Sequence, residues 1–422
     1  MSISVVTGAN WGDEGKGRMV DYLARDAAFV VRYQGGNNAG HTVVNDYGEF
    51  KLHLLPSGVF YPGVTNILGP GMVIDLEGLV KELDDLAGKN IRPTIRISDR
   101  ATICFPFHRI EDGLEEDRLG KNAYGSTRRG IAPAYGDRTM KKAIQIGELL
   151  YPDRLEQRVR QIGEWKRHRL QSFYGSDTLF SVDDMIAWIE QYGGYIRDLI
   201  ADTSELLEDG AEKGEHILFE AQLGTLRDLN FGIYPFTTSS CTLAGYAPIG
   251  GGLFGHKIDR VIAVVKAFST CVGEGPFVTI MDQAEADELR ESAKEYGAAT
   301  GRPRTIGHFD AVATRYGVWA QSATEVALTK LDSLSGRKTL KICTHYTWQG
   351  KRYERFPLNA ILEEAQPVYI EMPGWDEDIT GVREFDKLPE TAQAYVMAIE
   401  ENIQCPIRFV SVGPERDALI LR

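Results

Sequence analysis

The stretch Thr7-Gly8-Ala9-Asn10-Trp11-Gly12-Asp13-Glu14-Gly15-Lys16-Gly17-Arg18 constrains the fold of this chain more than any other. An apolar run, Ile3 to Val6, precedes it, and a helix-like pattern with Met19, Val20 and Leu23 follows. A strand, a glycine-rich turn carrying one lysine, and a helix make the layout of a phosphate-binding loop. Glycine lets the backbone come close to phosphate oxygens, while amide N–H groups and the helix N-terminus present positive potential. The loop departs from the Walker A pattern, because Asn10 stands at its first glycine and Gly17 replaces the metal-binding hydroxyl. Asp13 and Glu14 also need a reason, since carboxylates repel phosphate unless they bind a metal or move a proton.

A second apolar run, Ala28 to Tyr33, leads straight into Gln34-Gly35-Gly36-Asn37-Asn38-Ala39-Gly40-His41-Thr42. Ligands of parallel α/β sheets sit at the C-terminal edges of the strands, so both loops can line one crevice. Further strand-like runs are Phe50 to Leu55, Thr65 to Leu68, His216 to Phe219, Val261 to Val265, Val326 to Thr329, Leu340 to Cys343 and Ile407 to Val412. Leu76 to Leu86 has helical spacing, and between about 145 and 214 apolar residues recur every three to four positions amid charges. The reading is an α/β chain, 1–422 as a single domain. It has a large mostly parallel central sheet flanked by helices, an all-helical insertion, and a nucleotide site like that of the P-loop NTPases.

Composition sets the outer bounds. Hydrophobic content of 43% and charged content of 25% suit a soluble globular protein, and a formal charge of −13 argues against general nucleic-acid binding. The five cysteines are scattered and never form a CxxC pair, which favours reduced thiols in the cytoplasm over disulfides or zinc. The first glycine loop begins by residue 8, leaving no room for a signal peptide, and no apolar run reaches the roughly 18 residues needed to span a bilayer.

Asp13 and His41 are the leading acid/base pair, each at the mouth of a glycine loop. Thr329-Lys330-Leu331-Asp332 follows an apolar strand and is similar to the guanine-reading NKxD element of GTPases. One Asp carboxylate can accept from both N1–H and the 2-amino group of guanine, a donor pair that adenine lacks. Ser411-Val412-Gly413-Pro414 can form the other wall of a base pocket. Gly297 to Arg304 joins flexible glycines to two arginines, which suits a loop closing on a carboxylate. Gly125 to Gly130 and Tyr234 to Ser240 are hydroxyl-rich and can hold a second phosphate, and Gln222 follows a strand and offers an amide to a purine edge.

In this order, these elements resemble the adenylosuccinate synthetase family. The resemblance runs from Val5 nearly to the C-terminus. It is most specific at Trp11 to Gly17, Arg32 to Thr42, Gly130 to Asp137, Thr300 to Arg304, Thr329 to Asp332 and Met372 to Trp375. It implies a ligase joining IMP to L-aspartate at the expense of GTP, with Mg²⁺. By this resemblance Asp13 takes the N1 proton of IMP while O6 attacks the γ-phosphate, and His41 assists the phosphoryl group. Gln222 is the candidate support of the purine oxygen. Asp13 and the Gly40 carbonyl ligate Mg²⁺. Gly12, Gly15, Lys16, Gly17 and Thr42 hold GTP phosphates, and Lys330, Asp332, Ser411 and Gly413 form the guanine pocket. Asn38, Thr127 and Thr238 hold the IMP phosphate, and Thr300, Arg302 and Arg304 bind aspartate. A homodimer is implied, with Lys141 reaching the neighbouring IMP phosphate.

Three positions depart from the family pattern. Leu223 stands where the glutamine supporting the purine 6-oxygen aligns without gaps, Lys141 replaces an arginine, and Arg128 replaces a glycine and is expected to add a cation near the IMP phosphate. Two alternatives therefore remain at this level: ligation of aspartate to another 6-oxopurine nucleotide such as GMP or dGMP, and a non-catalytic GTP-binding protein.

Overall fold

The computed structural model describes residues 2–175, 180–297 and 301–422. Its frame is a ten-stranded sheet. From one edge to the other the strands are Leu419–Leu421, Ile407–Ser411, Glu325–Thr329, Arg260–Lys266, Ser2–Gly8, His216–Glu220, Phe29–Arg32, Thr65–Leu68, Thr94–Ser98 and Ile200–Ala201. Every neighbouring pair is parallel except the first, where Leu419–Leu421 runs antiparallel to Ile407–Ser411. Parallel strands covered on both faces read as continuous apolar runs, which is why Val261 to Val265 and Ile217 to Phe219 show no polar alternation.

The Ser2–Gly8 strand lies inside the sheet, with Val5 level with Phe219 on one side and Val261 on the other. The strands on either side advance in the same direction. Their C-terminal ends therefore deliver Gly8, Arg32, Glu220, Lys266 and Thr329 to one edge. This edge carries both glycine loops, as expected for a crevice outside the strand ends. The helix Lys16–Ala24 follows the first loop and buries Met19, Val20 and Ala24 against Val6, Leu218 and Val264.

The expected helical insertion contains Pro152–Tyr174, Val182–Ile196 and Thr203–Glu212, but it is not wholly helical. Ile200–Ala201 forms a short strand that extends the main sheet beside Thr94–Ser98. Two residues carry too little periodicity to be read, and only the pairing edge makes them a strand. Leu155, Val159 and Ile162 share an apolar cluster with Met185, Ile186 and Ile189, and the cluster continues to Leu68 and Ile97 of the sheet.

Two other expectations are corrected. The run at 50–55 is the strand Gly48–Leu52, which pairs with His41–Asn45 in a hairpin off the main sheet. The run at 340–343 belongs to Thr339–Trp348, in a four-stranded sheet with Phe309–Asp310, Lys351–Tyr353 and Gln366–Pro373. Alternation identifies a strand but not its partner, which depends on long-range packing. All five cysteines are free. Among the described residues, no helix is long and apolar enough to cross a membrane.

The helix Ala311–Ala320 braces the first loop from behind. Gly317 sits so close that a Cβ there would lie 1.8 Å from the Ala9 carbonyl oxygen. Helix propensity alone favours Ala over Gly by about 1 kcal/mol. The overlap involves rigid backbone, and overpacking of that kind costs ~1–3 kcal/mol or more, so the clash decides the sign. Gly317→Ala should therefore lower the thermal midpoint. An unchanged or higher midpoint would show that the helix is free to move away.

Candidate active site

The first loop is held open by its own glutamate. Glu14 is buried, and its Oε1 accepts from the backbone N–H of Asn10 at 3.1 Å and of Gly12 at 2.9 Å. Its Oε2 pairs with Lys16 Nζ at 2.5 Å. A Cβ on Gly8 or Gly224 would fall 2.5 Å from this carboxylate, so both glycines make room for it. Glu14 thus faces inward as a brace. Asp13, at a left-handed φ of 58°, presents its carboxylate to the crevice.

Gly17 has a similar explanation. A Cβ there would sit 2.5 Å from His41 Cδ2, so the place of a Walker A hydroxyl is filled by the imidazole. His41 Nε2 is 3.0 Å from Ser57 Oγ and 3.5 Å from Glu220 Oε1. Glu220 accepts from the Ser57 N–H at 2.8 Å and the Ser57 hydroxyl at 3.0 Å. With its single proton directed to Glu220, the Ser57 hydroxyl accepts from His41 Nε2–H. Burial, reinforced by the positive charges of Arg32 and Lys16 and by His53, holds the His41 pKa well below its usual value. The ring is therefore a neutral hydrogen-bond donor at neutral pH.

Two cavities open on this edge. One, of about 750 Å³, is lined by Asn38, Thr127, Arg227, Phe236 and Thr238. The other, of about 960 Å³, is lined by Gly15, Lys16, Gly17, His41, Thr42, Lys330, Asp332, Ser411 and Gly413. They meet where Asp13, Ala39, Gly40, Leu223, Gly297 and Arg304 line both.

A chain of charges crosses the junction. Arg304 holds Asp13 Oδ2 through Nη2 at 2.9 Å and Nε at 3.0 Å, and its Nη1 pairs with Glu295. Lys266 Nζ lies 2.6 Å from Glu295 Oε2, and Lys330 Nζ lies 3.6 Å from Oε1. Burial by itself would raise the pKa of Glu295, but Lys266, Arg304 and Lys330 together bring it down to about 2. Burial lowers Lys266 to about 8 against the pull of Glu295. A fully buried carboxylate surrounded by three cations is thus a fixed charge, not a proton carrier.

The structure gathers most of the expected residues. Asn38 Nδ2 donates to Thr238 Oγ1 at 3.4 Å, joining two separate loops in the smaller cavity. Thr127 rides on a loop held by two carboxylates of the helix Pro106–Leu119. Glu116 accepts from the N–H groups of Tyr124, Gly125 and Ser126 at 3.1–3.2 Å, and Asp112 accepts from Ser126 Oγ at 2.7 Å and the Gly130 N–H at 2.8 Å. Burial raises the Asp332 pKa, opposed by Lys330, and the residue lines the larger cavity with Ser411 and Gly413. Gly40 lies under His53, whose ring would be 2.8 Å from a Cβ there.

Other residues are engaged differently, including Gln222, which lines the larger cavity. The Gln222 amide holds the second glycine loop: Oε1 accepts from the Gly36 N–H at 3.1 Å, and Nε2 donates to the Gly36 and Ala39 carbonyls at 2.9 and 3.2 Å. Arg128 is corrected, since it is exposed and pairs outward with Asp117 at 2.5 Å instead of adding a cation to the cavity. Arg302 lines neither cavity and donates to the Gly125 carbonyl at 3.3 Å. Lys141 is exposed just beyond the helix Ile131–Thr139, outside both cavities. Thr300 lies outside the described residues. Glu295, Lys266, Ser57 and Glu220 had no sequence signal, because each stands alone in the chain and acquires partners only on folding.

The model of the adenylosuccinate synthetase family matches residues 5–420. The chain belongs to that family. It is 53% identical over 419 residues to adenylosuccinate synthetase 2 of Pseudoalteromonas translucida, covering 99% of each chain. The solved structure of fully ligated adenylosuccinate synthetase from Plasmodium falciparum superposes with a TM-score of 0.94 at 34% identity, covering 100% of both. A cyanophage S-2L succinoaminodeoxyadenylate synthetase bound to dGMP and dATP shares the fold alone, at 16% identity and a TM-score of 0.61, covering 100% of this chain and 95% of that one. Members of the family are GTP-dependent ligases joining IMP to L-aspartate, and this chain is one of them.

The contact between Gly17 and His41 gives a direct test. Gly17→Ala should push the imidazole off its seat and reduce kcat on the order of 10²-fold, the scale of a lost acid/base contribution, with the thermal midpoint nearly unchanged. Wild-type kcat in this variant would mean that the position of His41 is not set by Gly17.

Proposed function

We propose that the two cavities are the IMP and GTP sites of one ligase centre, and that Asp13 is the base where they meet. The observation carrying this reading is that, among the described residues, Asp13 is the one carboxylate lining both cavities. IMP lies in the smaller cavity with its phosphate on Asn38, Thr127 and Thr238. GTP lies in the larger, with its phosphates over Gly15, Lys16, Gly17 and Thr42 and its base between Lys330, Asp332, Ser411 and Gly413; Gly12, expected among the phosphate contacts, lines the smaller cavity instead. Asp13 removes the N1 proton of IMP, which makes O6 nucleophilic. O6 attacks the γ-phosphorus, and the bond to the β-bridging oxygen breaks to release GDP. His41 turns its single Nε2–H from Ser57 Oγ to the transferred group. The amine of L-aspartate then attacks C6 and expels phosphate, giving adenylosuccinate. Phosphorylation thus converts a poor leaving group into a good one, and the loop amides and Lys16 stabilise the charge that gathers.

Arg304 has two tasks in this scheme. It pairs with Asp13, and with Arg302 and Thr300 it receives the carboxylates of aspartate. The planar guanidinium suits both partners. Gln222 acts by fixing the loop that presents Asn38 and Gly40.

Mg²⁺ fits the oxygens available. It favours hard oxygen ligands and keeps waters and substrate phosphates in its shell, so Asp13 and the Gly40 carbonyl suffice as the protein's share. No cluster of three His, Cys, Asp or Glu is needed, and none occurs among the described residues. When bound, the ion neutralises charge on the phosphoryl group. We also read the chain as one cytoplasmic domain that works as a homodimer, with exposed Lys141 reaching the IMP phosphate of the neighbouring subunit.

Purified protein supplied with GTP, Mg²⁺ and aspartate should release phosphate and form adenylosuccinate with IMP. Turnover confined to GMP or dGMP would favour the guanine-nucleotide alternative, and turnover with none of them would favour a GTP-binding protein. Asp13→Asn should reduce kcat at least about 10³-fold while leaving the thermal midpoint close to wild type, in the range expected for an essential base. Substantial activity in that variant would remove Asp13 from the role. Asp332→Asn should weaken discrimination between GTP and ITP or ATP. An unchanged preference would place guanine recognition elsewhere.

A further inference from the structure

Leu223 is the one large apolar side chain among the residues that line both cavities. It holds a left-handed φ of 61°, a conformation uncommon for a leucine. Its Cδ2 lies 3.3 Å from where a Cβ on Gly12 would be, so the side chain lies against the first loop beside Asp13. Gly12 faces it with a φ of 103°. The neighbouring Gln222 cannot supply a polar group here, because its amide is committed to the Gly36 and Ala39 backbone. The other shared positions carry a charge, as in Asp13 and Arg304, or little or no side chain, as in Ala39, Gly40 and Gly297.

We propose that Leu223 is a water-excluding wall at the point where the two cavities meet, keeping the transferred phosphoryl group from water. This rests on the reading that phosphoryl transfer takes place at that junction. Water is the competing nucleophile there. If admitted, its oxygen bonds to the γ-phosphorus and the bond to the β-bridging oxygen breaks. GDP and phosphate leave, and the proton from water passes to Asp13 or to solvent. The same water could attack phosphorus in the phosphorylated purine, returning IMP and phosphate. Either route consumes GTP without product. A methylene-rich side chain offers water no hydrogen-bond partner, so it disfavours occupancy at that point.

The experiment measures phosphate and adenylosuccinate together in the presence of GTP, IMP, aspartate and Mg²⁺, and phosphate alone when aspartate is left out. Leu223→Ala truncates the side chain without changing the backbone demand. Leu223→Asn, whose side chain accepts a left-handed φ readily, guards against loss of the fold. Both should release several-fold more phosphate than product, and both should hydrolyse GTP without aspartate several-fold faster than wild type. Leu223→Met, similar in volume and apolar, should keep phosphate and product equal. Truncated variants that ligate with phosphate and product still equal would overturn the inference, as would a methionine variant that leaks as much as alanine. If wild type itself forms no adenylosuccinate, the fault lies in the assigned reaction, not in Leu223.

Discussion

The active-site edge depends on a carboxylate that points away from the chemistry. Glu14 ties two amides of its own loop and the Lys16 ammonium into one buried knot. Removing one partner of such a pair costs ~3–5 kcal/mol, because the other charge is left buried and uncompensated. The knot fixes the path of the backbone between Asn10 and Lys16, and that path turns Asp13 outward at a left-handed φ. Glycines at positions 8 and 224 exist to accommodate it. Two adjacent acidic residues in one glycine loop thus have separate tasks, one shaping the loop and the other facing both cavities.

The second layer of organisation is Glu295. It lies fully buried between Lys266, Arg304 and Lys330, and through Arg304 it is linked to Asp13. Lys330, Arg304 and Asp13 are therefore neighbours in one electrostatic network. Lys330 touches the network from the larger cavity, and its Nζ also donates to the Ala293 carbonyl at 2.5 Å. Ligands that draw Lys330 or Arg304 away would change the environment of the same buried carboxylate. In this network the cations Lys266, Arg304 and Lys330 are balanced by the anions Glu295 and Asp13.

Much of this was legible in the sequence because it is local. The strand–loop–helix at the N-terminus, the QGGNNAGHT loop and the TKLD stretch are short contiguous patterns whose backbone demands are met by glycine or by a single side chain. Their order also carried the family resemblance. What the local sequence does not carry is a partner distant along the chain. The run at 340–343 is a strand, but its neighbours at Ile370 and Phe309 place it in a second sheet. Arg128 was expected at a phosphate, yet Asp117, eleven residues earlier on the helix Pro106–Leu119, turns it outward.

By itself, the sequence determined the family, the parallel α/β architecture, and the presence of a glycine-rich strand–loop–helix carrying an aspartate and a lysine. The family follows from the resemblance of several short motifs in order, and the architecture and the loop from local glycine placement and apolar periodicity, which act over a few residues. Only the tertiary structure decided that Asp13 and Glu14 have different tasks, that Gly17 is a seat for His41, and that Gln222 turns into the second loop while Leu223 lines the junction. Those outcomes depend on which groups separated by tens or hundreds of residues come within van der Waals or hydrogen-bond reach. No periodicity in the chain encodes that distance.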